Sequence, residues 1–166
     1  MTLVQRPALE VTGPVRSMPP VILAVLVAAV LHLLWWQFLA TSGGDIAAQD
    51  AWAEFARSHP DSAYNLAWYG GMHPVSYSVV SPYIMAQVGV RATMILAGTI
   101  SAGLLAWLIV SRTDHKRRWI PAVYGAIALA GNALSGRVTF ALGTVFALDA
   151  LCVVFAWPRT TGSTAE

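Results

Sequence analysis

Charge is what this chain has least of. Only 11% of its 166 residues are Asp, Glu, Lys or Arg, against 57% hydrophobic residues, and the mean hydropathy is +0.60. That leaves too little polar surface to solvate an ordinary soluble domain, so the composition is that of a polytopic membrane protein. Cysteine is nearly absent as well. Cys152 stands alone inside an apolar run, which excludes an internal disulfide and a cysteine metal site and leaves it as a small buried hydrophobe. No tandem repeat or low-complexity tract is present, and there is no HExxH metal motif. The net charge of +2 does not point to nucleic acid, because the basic residues flank apolar runs instead of clustering on one polar face.

What is present is a set of apolar runs at membrane length. Residues 1–20 read as a polar tail ending in Pro19-Pro20, and proline is tolerated at a helix start. Residues 21–40 follow as a first span, since about twenty residues at ~1.5 Å each match the ~30 Å hydrocarbon layer. Trp35 and Trp36 near its end fit an interfacial aromatic belt. The run is longer than the apolar part of a signal peptide and lacks a clear A-x-A cleavage site. Residues 92–110 form a second span, 119–134 a shorter apolar run and 138–157 another span, with a polar tail over 158–166. The expected architecture is all-α: a single membrane domain over 21–157 with about four transmembrane helices. Gly98, Gly103, Gly125, Gly131, Gly136 and Gly143 are placed to let helices pack closely.

Orientation follows from the basic residues. With both termini in the cytoplasm, Arg6, Arg16, Arg112, Lys116, Arg117, Arg118 and Arg159 lie inside and only Arg57, Arg91 and Arg137 outside, a positive-inside bias. The chain is then a multi-pass plasma-membrane protein of the cell envelope, and the long loop over about 41–89 faces outward. This loop contains Asp45, Asp50, Glu54 and Asp61 together with His59 and His73. Asp45 is placed to cap a helix running to His59, because a carboxylate accepts the free N–H groups of a first turn. On that helix Ala48, Trp52, Phe55 and His59 share a face, with Gln49, Asp50, Glu54 and Arg57 more polar, as in a helix lying on a membrane surface. The Gly70-Gly71 pair allows positive φ. Residues 74–89, broken by Pro82 and dotted with Ser and Tyr, suit an interfacial or re-entrant segment, or the polar-lined start of a helix, better than a lipid-facing span.

Two readings fit Asp45. It is either an N-cap or a carboxylate held at the membrane surface, where it could act as a base, orient a hydroxyl or bind a divalent metal. Trp68, Tyr69 and Tyr77 could stack on a sugar ring or anchor the loop at the interface. His59, Asp61 and His73 could join Asp45 around a cation, although their spacing matches no familiar ligand motif. Arg137 could bind a lipid phosphate through its planar fork, or extend to water from the interface. Asp149 falls inside the last span, where an ionised carboxylate costs on the order of 2.5–3.5 kcal/mol on insertion scales, so it must be protonated, paired or turned to a polar cavity. A rhomboid-type protease is excluded. Ala133 stands where GxSG needs its first glycine, and no histidine follows Ser135.

The segments GGDIAAQDAWAEFARSHP, NLAWYGGMHPVSYSVVSPYIMAQVGVR and GNALSGRVTFALG together resemble the N-terminal part of actinobacterial multi-spanning membrane proteins related to C-type glycosyltransferases. The resemblance covers about residues 20–157. It implies an enzyme using a polyprenyl-phosphate sugar at the outer membrane face, with Asp45 matching the acidic residue that follows the first span in that family. Trp68, Tyr69, His73 and Tyr77 would contact substrate, and Arg137 the donor phosphate. No cofactor beyond a possible divalent metal is implied. Those proteins have more spans than this chain, so the resemblance implies an N-terminal fragment or truncated copy. The competing expectation is a non-enzymatic subunit that assembles with a partner membrane protein. A third, a small transporter module, would use Asp149 as its ion site.

Overall fold

The computed structural model describes residues 14–40, 45–67, 70–73, 78–113 and 116–156. They form six helices: α1 (Pro14–Phe38), α2 (Ile46–Ser58), α3 (Ser81–Val88), α4 (Val90–Arg112), α5 (Trp119–Leu134) and α6 (Val138–Leu151). The last continues as a π-helical turn over Cys152–Ala156. Among the described residues there is no strand, only an isolated antiparallel bridge between Asn65 and Met72. Among the described residues three helices are long and apolar enough to cross a membrane, namely Met18–Phe38, Val90–Arg112 and Val138–Phe155. The fourth apolar segment, α5, has 16 residues and is therefore ~24 Å long.

α4 is the hub. It packs against α1 and α5 on one side and α6 on another, and α1 also packs against α5. Where α1, α4 and α5 meet, six alanines, Ala24, Ala28, Ala102, Ala106, Ala122 and Ala126, form one buried cluster. Large apolar side chains such as Leu26, Val30, Leu96, Ile127 and Phe146 point outward instead. Small residues inside and large ones outside suit a bundle solvated by lipid. Helices there gain little from hiding Leu, but gain van der Waals contact when methyl-sized side chains let backbones approach. Gly98, Gly103 and Gly125 serve that close approach, facing His32, Val25 and Leu105, whereas Gly131 and Gly143 face open space.

One end of the bundle is built differently. Here Trp35, Ile46, Ala53, Met85, Val90, Met94, Ala97, Ala133, Val138 and Ala141 form a second core, in which bulky side chains from α1, α2, α3, α4 and α6 fill the space under a cap made by α2 and α3. Polar contacts fasten this cap. Arg91 Nη1 donates to both Asp50 oxygens at 2.8 and 3.1 Å, and its Nε donates to the Ala40 carbonyl at 3.2 Å. Arg57 donates from Nε and Nη2 to the Ala86 carbonyl at 3.1 and 2.9 Å, and from Nη1 to Glu54 at 2.8 Å.

The structure corrects several sequence expectations. α1 begins at Pro14, so Pro19 and Pro20 lie within it, each removing one backbone hydrogen bond. Trp35 is buried in the core and only Trp36 is exposed, so the pair is not a shared interfacial belt. Pro82 does not break a helix; it sits in the first turn of α3, where its missing N–H costs nothing. α4 begins at Val90, directly after Gly89 with φ of 96°. On α2 the buried face is Ile46, Gln49, Trp52, Ala53 and Ala56, so Gln49 points inward, and the expected apolar partner His59 is exposed.

Candidate functional site

The cap end places Asp45 and Arg137 beside one another, although 92 positions separate them. Asp45 occupies the N-cap position of α2 but makes no capping hydrogen bond. Its φ and ψ of −77° and −7° are helical, whereas a capping side chain reaches back from an extended backbone. Its Oδ2 instead lies 3.4 Å from Arg137 Nε. Both side chains are more than half exposed, 56% for Asp45 and 64% for Arg137. An ion pair so open to solvent contributes at most about 1 kcal/mol, so an incoming ligand can displace it at little cost to the fold.

The turn between α5 and α6 explains why the two residues meet. Gly136 has φ of 70°, and a Cβ added there would lie 2.7 Å from Ile46 Cγ1 and 2.9 Å from the Ile46 nitrogen. Only a residue without a side chain lets this turn rest on the start of α2. Arg137 follows immediately as the N-cap residue of α6. The N-termini of α2 and α6 therefore open toward the same place, and each brings a partial positive charge.

Between them lies a cleft of about 540 Å³ lined by Asp45, Ala48, Gln49, Trp52, Arg137, Thr139 and Phe140. Ala48, Trp52 and Phe140 supply apolar walls. Inside, Thr139 Oγ1 donates to Gln49 Oε1 at 3.0 Å, which ties α2 to α6 and positions the Gln49 amide on an otherwise apolar helix face. The cleft thus combines a guanidinium, a carboxylate, a fixed amide and an aromatic wall. That set suits a ligand with a charged phosphate and a polar ring.

Among the described residues, the remaining sequence candidates do not converge here. His73 is exposed, its Nδ1–H donates to the Ala63 carbonyl at 2.9 Å, and its ring meets Tyr64 edge-on at 4.9 Å. It closes a small loop in which Asn65 and Met72 exchange backbone hydrogen bonds of 2.8 and 3.0 Å, and Gly70 and Gly71 take the positive φ values that the sequence suggested, 93° and 105°. Trp68, Tyr69 and Tyr77 lie outside the described residues. His59 stacks on Phe55 with ring centroids 5.0 Å apart. Among the described residues no three His, Cys, Asp or Glu side chains come together as a metal site, so the grouping of Asp45, His59, Asp61 and His73 around a cation is not formed. The acids pair with arginines instead: Asp45 with Arg137, Asp50 with Arg91 and Glu54 with Arg57.

Asp149 is exposed on α6 and makes no hydrogen bond or ion pair among the described residues. Sequence reasoning missed Gln49, Thr139 and Phe140. Gln49 lies one turn after Asp45 and Trp52 two turns after it, so helical spacing could have found that face. Nothing local marks Thr139 or Phe140. No family model, characterised protein or solved structure matches this chain.

Proposed function

We propose that the chain is an integral membrane protein of glycosyltransferase type, whose cleft takes the phosphate and sugar of a polyprenyl-phosphate donor at the outer face of the plasma membrane. One observation carries this reading: Asp45 and Arg137, the acid and the phosphate-binding base singled out in the sequence, flank a single cleft. In the reaction, Arg137 holds the donor phosphate and Asp45 accepts the proton of an acceptor hydroxyl. The hydroxyl oxygen attacks the anomeric carbon, the bond from that carbon to the phosphate oxygen breaks, and polyprenyl phosphate leaves with its negative charge opposite Arg137.

The topology in this proposal has four crossings, with α5 as the shortest, both termini cytoplasmic and residues 41–89 outside. Two facts support it. Gly136 touches Ile46 and Arg91 reaches Ala40, so the end of α1, the start of α4 and the α5–α6 turn meet at one end of the bundle, and α5 runs its length between them. The basic residues also divide seven to three between the two ends in that topology.

The test is turnover of polyprenyl-phosphate sugar in membranes containing the chain, with and without divalent metal, for wild type, Asp45→Asn and Arg137→Gln. Asp45→Asn should lose transfer, and Arg137→Gln should raise the donor concentration needed. Full transfer by Asp45→Asn removes the catalytic role. No turnover by correctly inserted wild type favours the non-enzymatic subunit.

A further inference from the structure

We propose that α6 carries a docking face for a different membrane protein, and that this partner presents a basic side chain to Asp149 within the membrane. The inference is independent of what the cleft does. The span Val138–Phe155 buries a single stripe, Val138, Ala141, Leu148 and Cys152, against α4, where Cys152 Sγ approaches the Leu104 carbonyl at 3.6 Å. Leu142 and Val145 pack partly against the core and Thr139 is bonded to Gln49, while Gly143, Phe146 and Val153 leave another flank exposed. Asp149 lies off the buried stripe, with the exposed Phe146 and Val153 about one turn to either side. It makes no hydrogen bond or ion pair among the described residues.

Its depth makes the ionised form costly in lipid alone, on the order of 2.5–3.5 kcal/mol on insertion scales. Eleven residues separate it from Val138, ~17 Å along the helix, and six from Phe155, ~9 Å. A carboxylate on a short stem cannot reach the interface across either distance, and hydrocarbon offers no hydrogen-bond donor. Among the described residues no cation answers it. Arg57, Arg91 and Arg137 are committed at the cap end, while Arg112, Lys116, Arg117 and Arg118 sit around the loop between α4 and α5. His32, the one basic side chain at membrane depth, is fully buried on α1 beside Gly98.

Charge complementarity therefore calls for a cation from outside. A second copy docking through the same face would set Asp149 against Asp149, two like charges in a low dielectric, which disfavours self-association. A neighbouring transmembrane helix with Lys, Arg or protonated His at this depth satisfies the carboxylate.

The test uses the full chain in phosphatidylcholine vesicles, labelled with an energy-transfer donor. The probe is an acceptor-labelled synthetic leucine-rich transmembrane helix with one lysine at the depth of Asp149, compared with the same helix lacking lysine. The lysine helix should associate about tenfold more tightly, in the range of polar contacts between membrane helices. Asp149→Leu should abolish that advantage. Moving the lysine one turn along the probe should do the same, and Gly143→Leu, on another flank of α6, should leave it intact. Equal association of both probes, an advantage that survives Asp149→Leu, or Asp149-dependent self-association of the chain would each overturn the proposal.

Discussion

Replacing Gly136 with alanine perturbs the contact on which the cleft depends. Two costs add. Alanine at a φ of 70° enters the left-handed region, at about 1–2 kcal/mol. Its methyl would also sit 2.7 Å from Ile46 Cγ1 and 2.9 Å from the Ile46 nitrogen. The backbone nitrogen cannot rotate away as a flexible side chain would, so relief requires lifting the α5–α6 turn off α2, at a further ~1–3 kcal/mol. A loss of about 2–5 kcal/mol is expected in reversible unfolding by sodium dodecyl sulfate in mixed micelles. Gly136→Asn separates the two terms, because asparagine tolerates the left-handed conformation yet keeps the clash. It should recover roughly 1 kcal/mol relative to alanine and remain less stable than wild type. The same lift carries Arg137 away from Asp45, so binding of the proposed donor should weaken in both variants. A Gly136→Ala protein within about 0.5 kcal/mol of wild type would refute the claim that this turn is seated against the start of α2.

Gly98→Ala should destabilise the bundle by about 1–3 kcal/mol, because a Cβ there overlaps the fully buried His32 ring; pairing it with His32→Ala should restore part of the loss in the same unfolding assay. Arg91→Met removes the contacts to Asp50 and to the Ala40 carbonyl and should cost about 1–2 kcal/mol, the pair being only partly exposed. A double-mutant cycle with Asp50→Asn should show coupling of roughly 0.5–1.5 kcal/mol, and strict additivity would mean the ion pair does not fasten α2 to α4.

Composition and apolar run length determined the class of this protein: 57% hydrophobic and 11% charged residues compel helices in lipid, since only internally bonded backbone survives there. The same one-dimensional signals located α2, whose bounds Ile46–Ser58 fall between Asp45 and His59 as the spacing suggests, and the positive φ of Gly70 and Gly71. They misread residues whose environment is set by other helices. Trp35 and Trp36 are identical in sequence terms, yet one fills the core and the other faces outward, because a rotation of about 100° per residue separates their directions. Asp45 reads locally as a cap, and Gln49 as polar surface. Only the seating of Gly136 on Ile46 brings Arg137 within 3.4 Å of Asp45 and Thr139 within 3.0 Å of Gln49. Hydropathy and helical period are properties of a segment. A cleft arises where two segments meet, and the contacts joining positions 45 to 137 and 49 to 139 are set by helix packing, which no local pattern encodes.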